Sequence, residues 1–189
     1  MNIEVTGIFS TYIAHTHVSD HEVITERIID VMNSVPEGEF GNGFNFWDHT
    51  RGDDTVLNSF KNALCAVVSN INFQVEQRDD MAYEVSRSWL VQMPGHYDPP
   101  HHHASTKWTA VFYPFAEEGC GDLLLLDPRG GVVAERNDDR GYTNRCFKRV
   151  TPKTGSLIVL PGYLMHMVEP SPNDVKRIAF ATMFKEYSC

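Results

Sequence analysis

The chain has 189 residues, 42% of them hydrophobic, which suits one folded domain with a full core and argues against wholesale disorder. Its 16 basic and 25 acidic residues leave a formal net charge of −9, which argues against a protein held on duplex DNA by bulk charge, since such binding needs a basic face. No apolar run approaches the roughly 20 residues that span a bilayer, and Met1 to Phe9 carry acid and no basic cluster, so the expectation is a cytoplasmic protein without a membrane partner.

Two helical patterns occupy the first 75 residues. Ser19 with Glu22 three residues later reads as a capping box. Ile24, Ile28, Val31 and Val35 then recur at helical spacing, and Pro36 and Gly38 end the stripe. After Gly52-Asp53-Asp54, a second helix carries Leu57, Phe60, Leu64, Val67, Val68 and Ile71 on one face, read as core packing. From Met81 the texture changes. Short β-branched and aromatic runs fall at 82–93, 107–115, 122–127, 132–135, 146–150, 156–160, 165–169 and 177–184, with Gly and Pro turn signals between or beside them. Helices first and strands after predict an α+β, mainly β fold. The economical form is an eight-stranded double sheet of jelly-roll type, with the N-terminal helices packed on one sheet. One domain is expected over 1–189, with a helical support region over 1–80 and a β core over 81–185. Cys65, Cys120, Cys146 and Cys189 form no Cys-x-x-Cys pair and read as free thiols.

The densest chemical signal is Pro99-Pro100-His101-His102-His103. On a strand, residues i and i+2 share a face, so His101 and His103 point together while His102 points away. Two imidazoles on one strand make a pair of metal ligands that takes its third donor from elsewhere. His166, isolated in the apolar run Leu164-Met165-His166-Met167-Val168, is the candidate. The plainer reading is that these histidines are solvated surface or hydrogen-bonded core residues. Arg177 follows His166 by eleven residues, flanked by Ile178, Ala179, Phe180 and Ala181. A buried arginine there is costly unless it meets an anion, and a planar guanidinium takes a carboxylate in bidentate fashion.

A histidine pair, a distal histidine and an arginine about ten residues beyond it resemble the Fe(II)/2-oxoglutarate-dependent oxygenases, whose core is a double-stranded β-helix. Pro94-Gly95 followed by Pro100-His101-x-His103 is similar to the prolyl-hydroxylase pattern of Pro-Gly, a short spacer, then Pro-His-x-Asp. The likeness is nearest to small bacterial and phage oxygenases of this type. It runs through Ser88-Trp89, the Tyr97 to His103 segment, Val111-Phe112-Tyr113, Asp127-Pro128-Arg129, and Thr151-Pro152-x-x-Gly155 to His166, covering roughly 83–184. The resemblance implies that His101, His103 and His166 hold Fe(II) and leave positions open for 2-oxoglutarate and O₂. It also implies that Arg177 pairs with the distal carboxylate of 2-oxoglutarate, with Tyr113, Trp89 or Trp108 as candidates to line that pocket, core packing being the commoner role for any one such aromatic. The implied activity is that of a dioxygenase, a hydroxylase in the first instance, forming succinate and supported in assays by ascorbate.

Two departures stand out. The superfamily usually has Asp or Glu where His103 sits, so an all-imidazole set leaves the ferrous site at +2 rather than +1. Many relatives carry a serine two residues after the arginine, where this chain has Ala179, so the carboxylate needs another partner. Other alignments stay open. His96-Tyr97-Asp98 is formally a His-x-Asp, although Pro99 is a poor residue with which to continue a strand. His102-x-Ala104 mimics a carboxylate-deleted halogenase site. Two rival functions are a cupin-like three-histidine metalloenzyme that uses no 2-oxoglutarate, and a non-enzymatic β-sandwich binding module. The charged stretch over 127–150 reads as a flap near the site or as a solvated loop. A small molecule, a peptide or a nucleobase would each serve as substrate, and a homodimer is compatible with the helical part.

Overall fold

Two antiparallel sheets face one another in the computed structural model, which describes residues 10–36, 39, 43–91, 97–129, 147–172 and 175–188. The strands are β1 (Ala14–His17), β2 (Met81–Val91), β3 (Asp98–His101), β4 (Trp108–Ala116), β5 (Leu123–Leu126), β6 (Phe147–Val150), β7 (Ser156–Pro161), β8 (His166–Val168) and β9 (Arg177–Ser188). A five-stranded sheet runs β1-β7-β4-β9-β2, and a four-stranded sheet runs β3-β8-β5-β6. This is the α+β, mainly β jelly roll expected from the sequence, with one short edge strand, β1, that its polar Ala-His-Thr-His run did not announce. The strand expected over 132–135, Pro94-Gly95, His96, Cys146, Cys189 and residues 130–146 of the charged stretch lie outside the described residues.

The helices cover the outer face of the five-stranded sheet. Helix α1 (His21–Ser34) begins one residue later than expected, with Asp20 at its N-cap and no side-chain cap bond. Ser19 therefore falls outside the helix, and the capping box with Glu22 is not made. Helix α2 (Thr55–Glu76) starts on a made cap, the Asp54 carboxylate accepting from the Leu57 N–H at 3.0 Å. Its buried face is Leu57, Phe60, Leu64, Val68 and Asn72, with Val67 and Ile71 as half-buried flanks. A short 3₁₀ turn, Phe46–His49, closes the gap between α1 and α2.

Alternation along the strands makes two cores. Phe112, Phe180, Phe184, Leu157 and Val159 face the helices, where Phe60 and Phe46 meet Phe180 and Phe112 at ring distances of 5.0–6.1 Å. Val111, Tyr113, Ile158 and Leu160 face the second sheet and pack on Leu123, Leu125 and Leu164. Strand β3 tolerates Pro99 and Pro100 because it is an edge strand, with a ladder on one side only. The doubt that Pro99 raised about a strand at this point is thereby resolved.

Candidate metal and cosubstrate site

His101 ends β3 and His166 opens β8, and the two residues are direct cross-strand partners with ring centroids 4.3 Å apart. His103 lies two residues beyond the end of β3 rather than on it. Its backbone N–H donates to the Gly162 carbonyl at 2.7 Å, and Gly162 in turn donates to Lys107 at 2.8 Å. The Pro161-Gly162 turn thus holds the 103–107 loop against the end of β7. Gly162 suits this close approach, because a Cβ there would overlap the Thr106 carbonyl. The ring of His103 then sits 5.2 Å from those of both His101 and His166.

One nitrogen from each of the three rings lies within 4.8 Å of the others, and among the described residues no other trio of His, Cys, Asp or Glu donors comes so close. The Nδ1 atoms of His101 and His166 meet the carbonyls of Pro99 and Leu164, each at 2.8 Å. A carbonyl only accepts, so both Nδ1 atoms carry the proton and both Nε2 atoms present lone pairs. Burial lowers the pKa of His103 to about 4, assisted by its histidine neighbours and opposed by Asp98. Burial also lowers His166, against the Leu164 hydrogen bond, which raises it. Neutral imidazole is the form a metal binds. His102 is exposed and outside the trio. Asp98 lies on β3 opposite Val168, and its carboxylate is not in the cluster.

Arg177 opens β9 and is 7% exposed. Its Nη1 donates to the carbonyls of Cys120 and Gly121 at 2.7 and 3.1 Å. Gly121 has φ +84°, and a Cβ on it would lie 2.5 Å from the Glu169 carbonyl oxygen and 3.1 Å from that same Nη1. Side chains at this position are therefore excluded by both backbone and space. Arg149, donating to Asp122 and Glu169, ties β6 to the residues flanking β5 and β8 at the Arg177 end of the barrel. Tyr113 is buried on β4 facing the second sheet. Burial pushes its phenol well above the usual range, while Arg177 pulls it the other way.

The two candidate tryptophans part company. Trp108 faces the helices, with its indole toward Asn72. Trp89 lies 5.6 Å from the His103 ring, edge to face. The sequence reading missed Arg87 beside it, whose guanidinium carbon is 5.4 Å from the Trp89 ring centre.

A family model described as "Putative 2OG-Fe(II) oxygenase" matches residues 87–182, just over half of the chain. The chain belongs to this family of oxygenases, enzymes of Fe(II), 2-oxoglutarate and O₂. A Pseudomonas putida prolyl-4-hydroxylase is 15% identical and aligns with a TM-score of 0.61 over 93% of this chain and 88% of its own. The non-haem α-ketoglutarate-dependent carbocyclase SnoK from nogalamycin biosynthesis is 13% identical, with a TM-score of 0.60 over 92% of this chain and 79% of its own. The chain spans 55% of the length of a 2OG-Fe(II) oxygenase-family oxidoreductase from Burkholderia pseudomallei, at 14% identity, 61% coverage of this chain and a TM-score of 0.44. At these identities the likeness is one of fold. A comparison with curated protein sequences gives no match. Among the described residues no helix is long and apolar enough to cross a membrane.

Proposed function

We propose that His101, His103 and His166 hold the iron through ring nitrogens, that Arg177 beside Tyr113 receives the distal carboxylate of 2-oxoglutarate, and that the enzyme hydroxylates an organic substrate. The observation that carries this is the convergence of three imidazole donors within 4.8 Å, two of them cross-strand partners on β3 and β8 and the third on the adjoining loop, with the tautomers of His101 and His166 fixed by backbone carbonyls. The donor set fits a divalent transition metal, for which imidazole is a suitable ligand and which needs open positions beside its protein ligands. When bound, iron with 2-oxoglutarate and O₂ supplies a two-electron oxidant at the expense of decarboxylation to succinate.

The chain's own part is positional. The Pro99 and Leu164 carbonyls hold the His101 and His166 rings in one orientation, and the Gly162 contact fixes the backbone of His103. Three neutral ligands leave the metal's charge uncompensated, which strengthens attraction for the anionic cosubstrate and lowers affinity for the cation relative to a site with a carboxylate. Arg177 keeps Nη2 and Nε without hydrogen bonds among the described residues, while Nη1 is anchored on Cys120 and Gly121. A carboxylate arriving there meets a fixed, buried cation. The Cys120 and Gly121 carbonyls orient that cation, so the missing serine at Ala179 does not leave Arg177 loose.

Family membership favours this reading over a metalloenzyme that uses no 2-oxoglutarate and over a binding module without catalysis. The test is calorimetric titration of the anaerobic Fe(II)-loaded protein with 2-oxoglutarate, followed by admission of air and measurement of succinate. Saturable binding and succinate release support the proposal, and when a substrate is supplied in the same assay a product heavier by one oxygen supports hydroxylation. A loaded protein that neither binds 2-oxoglutarate nor forms succinate overturns it, and a product lighter by two hydrogens overturns the hydroxylase outcome alone.

A further inference from the structure

Strand β2 carries a one-residue irregularity next to the site. Val85 pairs with Phe184 and Arg87 pairs with Met183, so Ser86 and Arg87 together oppose one residue, and the Ser86 hydroxyl donates to the Met183 carbonyl at 3.1 Å. Such a bulge changes which face the following residues present. Val85 is buried toward the helices, and strict alternation would send Arg87 and Trp89 the same way. The extra residue instead registers Arg87 with Met183 and Trp89 with Ala181, on the face opposite Phe180 and Phe184, so that Trp89 touches the edge of the helical core but sets its ring against His103, while Ser88 turns to the helical side to meet Thr182 and the Trp47 indole, each at 2.8 Å. The bulge thus brings a cation and an indole to the metal side of the sheet.

The local geometry is specific. Arg87 Nε donates to the Phe44 carbonyl at 2.8 Å, and its guanidinium lies over the Trp89 ring, which reaches His103. Its two Nη nitrogens make no hydrogen bond, and no carboxylate stands within ion-pair distance among the described residues. A half-buried arginine with one nitrogen tethered, one face stacked and the outer fork unused is prepared for a planar two-oxygen anion. Arg177 sits at the opposite end, beside Gly121, and already serves the cosubstrate in the reading above. Arg87 is therefore a second cation near the histidines, linked to His103 through the Trp89 ring rather than set beside Gly121.

We propose that Arg87 and Trp89 form the substrate-recognition subsite, and that the substrate is a small carboxylic acid whose carboxylate meets the Arg87 fork and whose apolar body lies along Trp89 toward the metal. This rests on the oxygenase reading and narrows its substrate class. Phosphate esters are the competing anion, and the planar fork favours the carboxylate.

The experiment uses the full chain loaded with Fe(II) and saturated with 2-oxoglutarate under nitrogen. It is titrated with a set of carboxylates and their primary amides, from hexanoate and N-acetylglycine to N-acetyl-leucine and N-acetylproline, with hexyl phosphate as the phosphate probe. The expected result is that at least one carboxylate binds ten times or more tighter than its amide. Arg87→Gln weakens that acid at least tenfold, Arg87→Lys restores part of the loss, and 2-oxoglutarate affinity is unchanged in both variants. Gln retains a donor for the Phe44 carbonyl, and melting followed by circular dichroism verifies the fold, with Arg87→Lys as the second variant. The subsite is overturned if no acid in the set binds, if acid and amide bind alike, or if Arg87→Gln binds the acid as well as wild type. Tighter binding of hexyl phosphate than of every acid overturns the carboxylate assignment. Should wild type fail to bind 2-oxoglutarate, the oxygenase reading falls separately, and the acid titration on an Arg177→Gln background still decides the role of Arg87.

Discussion

The two faces of the five-stranded sheet are made by the same strands and do opposite work. On β9, Phe180, Thr182 and Phe184 point to the helices, while Arg177, Ala179, Ala181 and Met183 point to the second sheet. On β4, Trp108, Ala110 and Phe112 alternate with Thr109, Val111 and Tyr113 in the same way. The helical face is filled by aromatic rings in contact and holds the sheet rigid. The facing side packs aliphatic residues against the second sheet and sets one buried arginine and one buried tyrosine among them, which adds charge and a hydroxyl to that face. Stability and function are separated by a single step along the chain, because a strand's period is two.

The largest effect that could break this division is expected on the chemical face. His166→Ala removes one of three donors and should lower iron affinity by more than about 100-fold, beyond the loss typical of supporting residues, with 2-oxoglutarate turnover falling to background. Metal analysis after dialysis checks it, and full iron retention would remove His166 from the site. On the helical face, Phe180→Ala opens a cavity among Phe46, Trp47 and Phe60. It should destabilise the fold by about 3–5 kcal/mol while leaving the 2-oxoglutarate affinity of the folded fraction unchanged. Urea denaturation measures the first and calorimetry the second. A large affinity change would mean that the two faces are not independent.

Arg177→Gln should weaken 2-oxoglutarate binding by about 100-fold, the loss of one charge-assisted bidentate contact, with iron content preserved. Parallel titrations of metal and cosubstrate decide it, and equal loss of both would make Arg177 a structural residue only. The smallest effect lies away from both faces, at the Lys107 bridge between Glu76 and Glu186. Burial raises the pKa of Glu186, but hydrogen bonds from Tyr83 and Lys107 outweigh it, and the net shift is downward. A carboxyl lowered on folding stabilises the protein above the unfolded value near 4.5, and that contribution is lost as pH falls through the folded value. Glu186→Gln should therefore cost a few tenths of a kcal/mol at pH 7 after solvent screening, and the difference from wild type should shrink as pH falls from 4.5 through the lowered folded value. Urea midpoints across that range test the sign.

Legibility followed the same division. The helices, most strands and the α+β order were readable because amphipathic stripes and short β-branched runs are local patterns, and the residues of α2 fell on the expected face. His101, His103, His166 and Arg177 were readable as a spaced set with a family resemblance. The Ser19–Glu22 cap was misread because nothing local shows which of two adjacent polar residues starts the helix. Trp108 is open between pocket and core in the sequence, because indole character carries no information about which face of β4 it occupies, and the fold puts it in the helical core.

The amino-acid sequence by itself determined the fold class, the donor types and the arginine, since periodicity and residue chemistry are carried along the chain. Tertiary structure decided the rest. Antiparallel pairing of β3 with β8 set His101 against His166, and the Gly162 turn brought in His103 from beyond its strand. One bulge at Ser86 turned Arg87 and Trp89 toward the metal side. These outcomes depend on register between segments far apart in sequence, and register is an energy of packed pairs that no single segment contains.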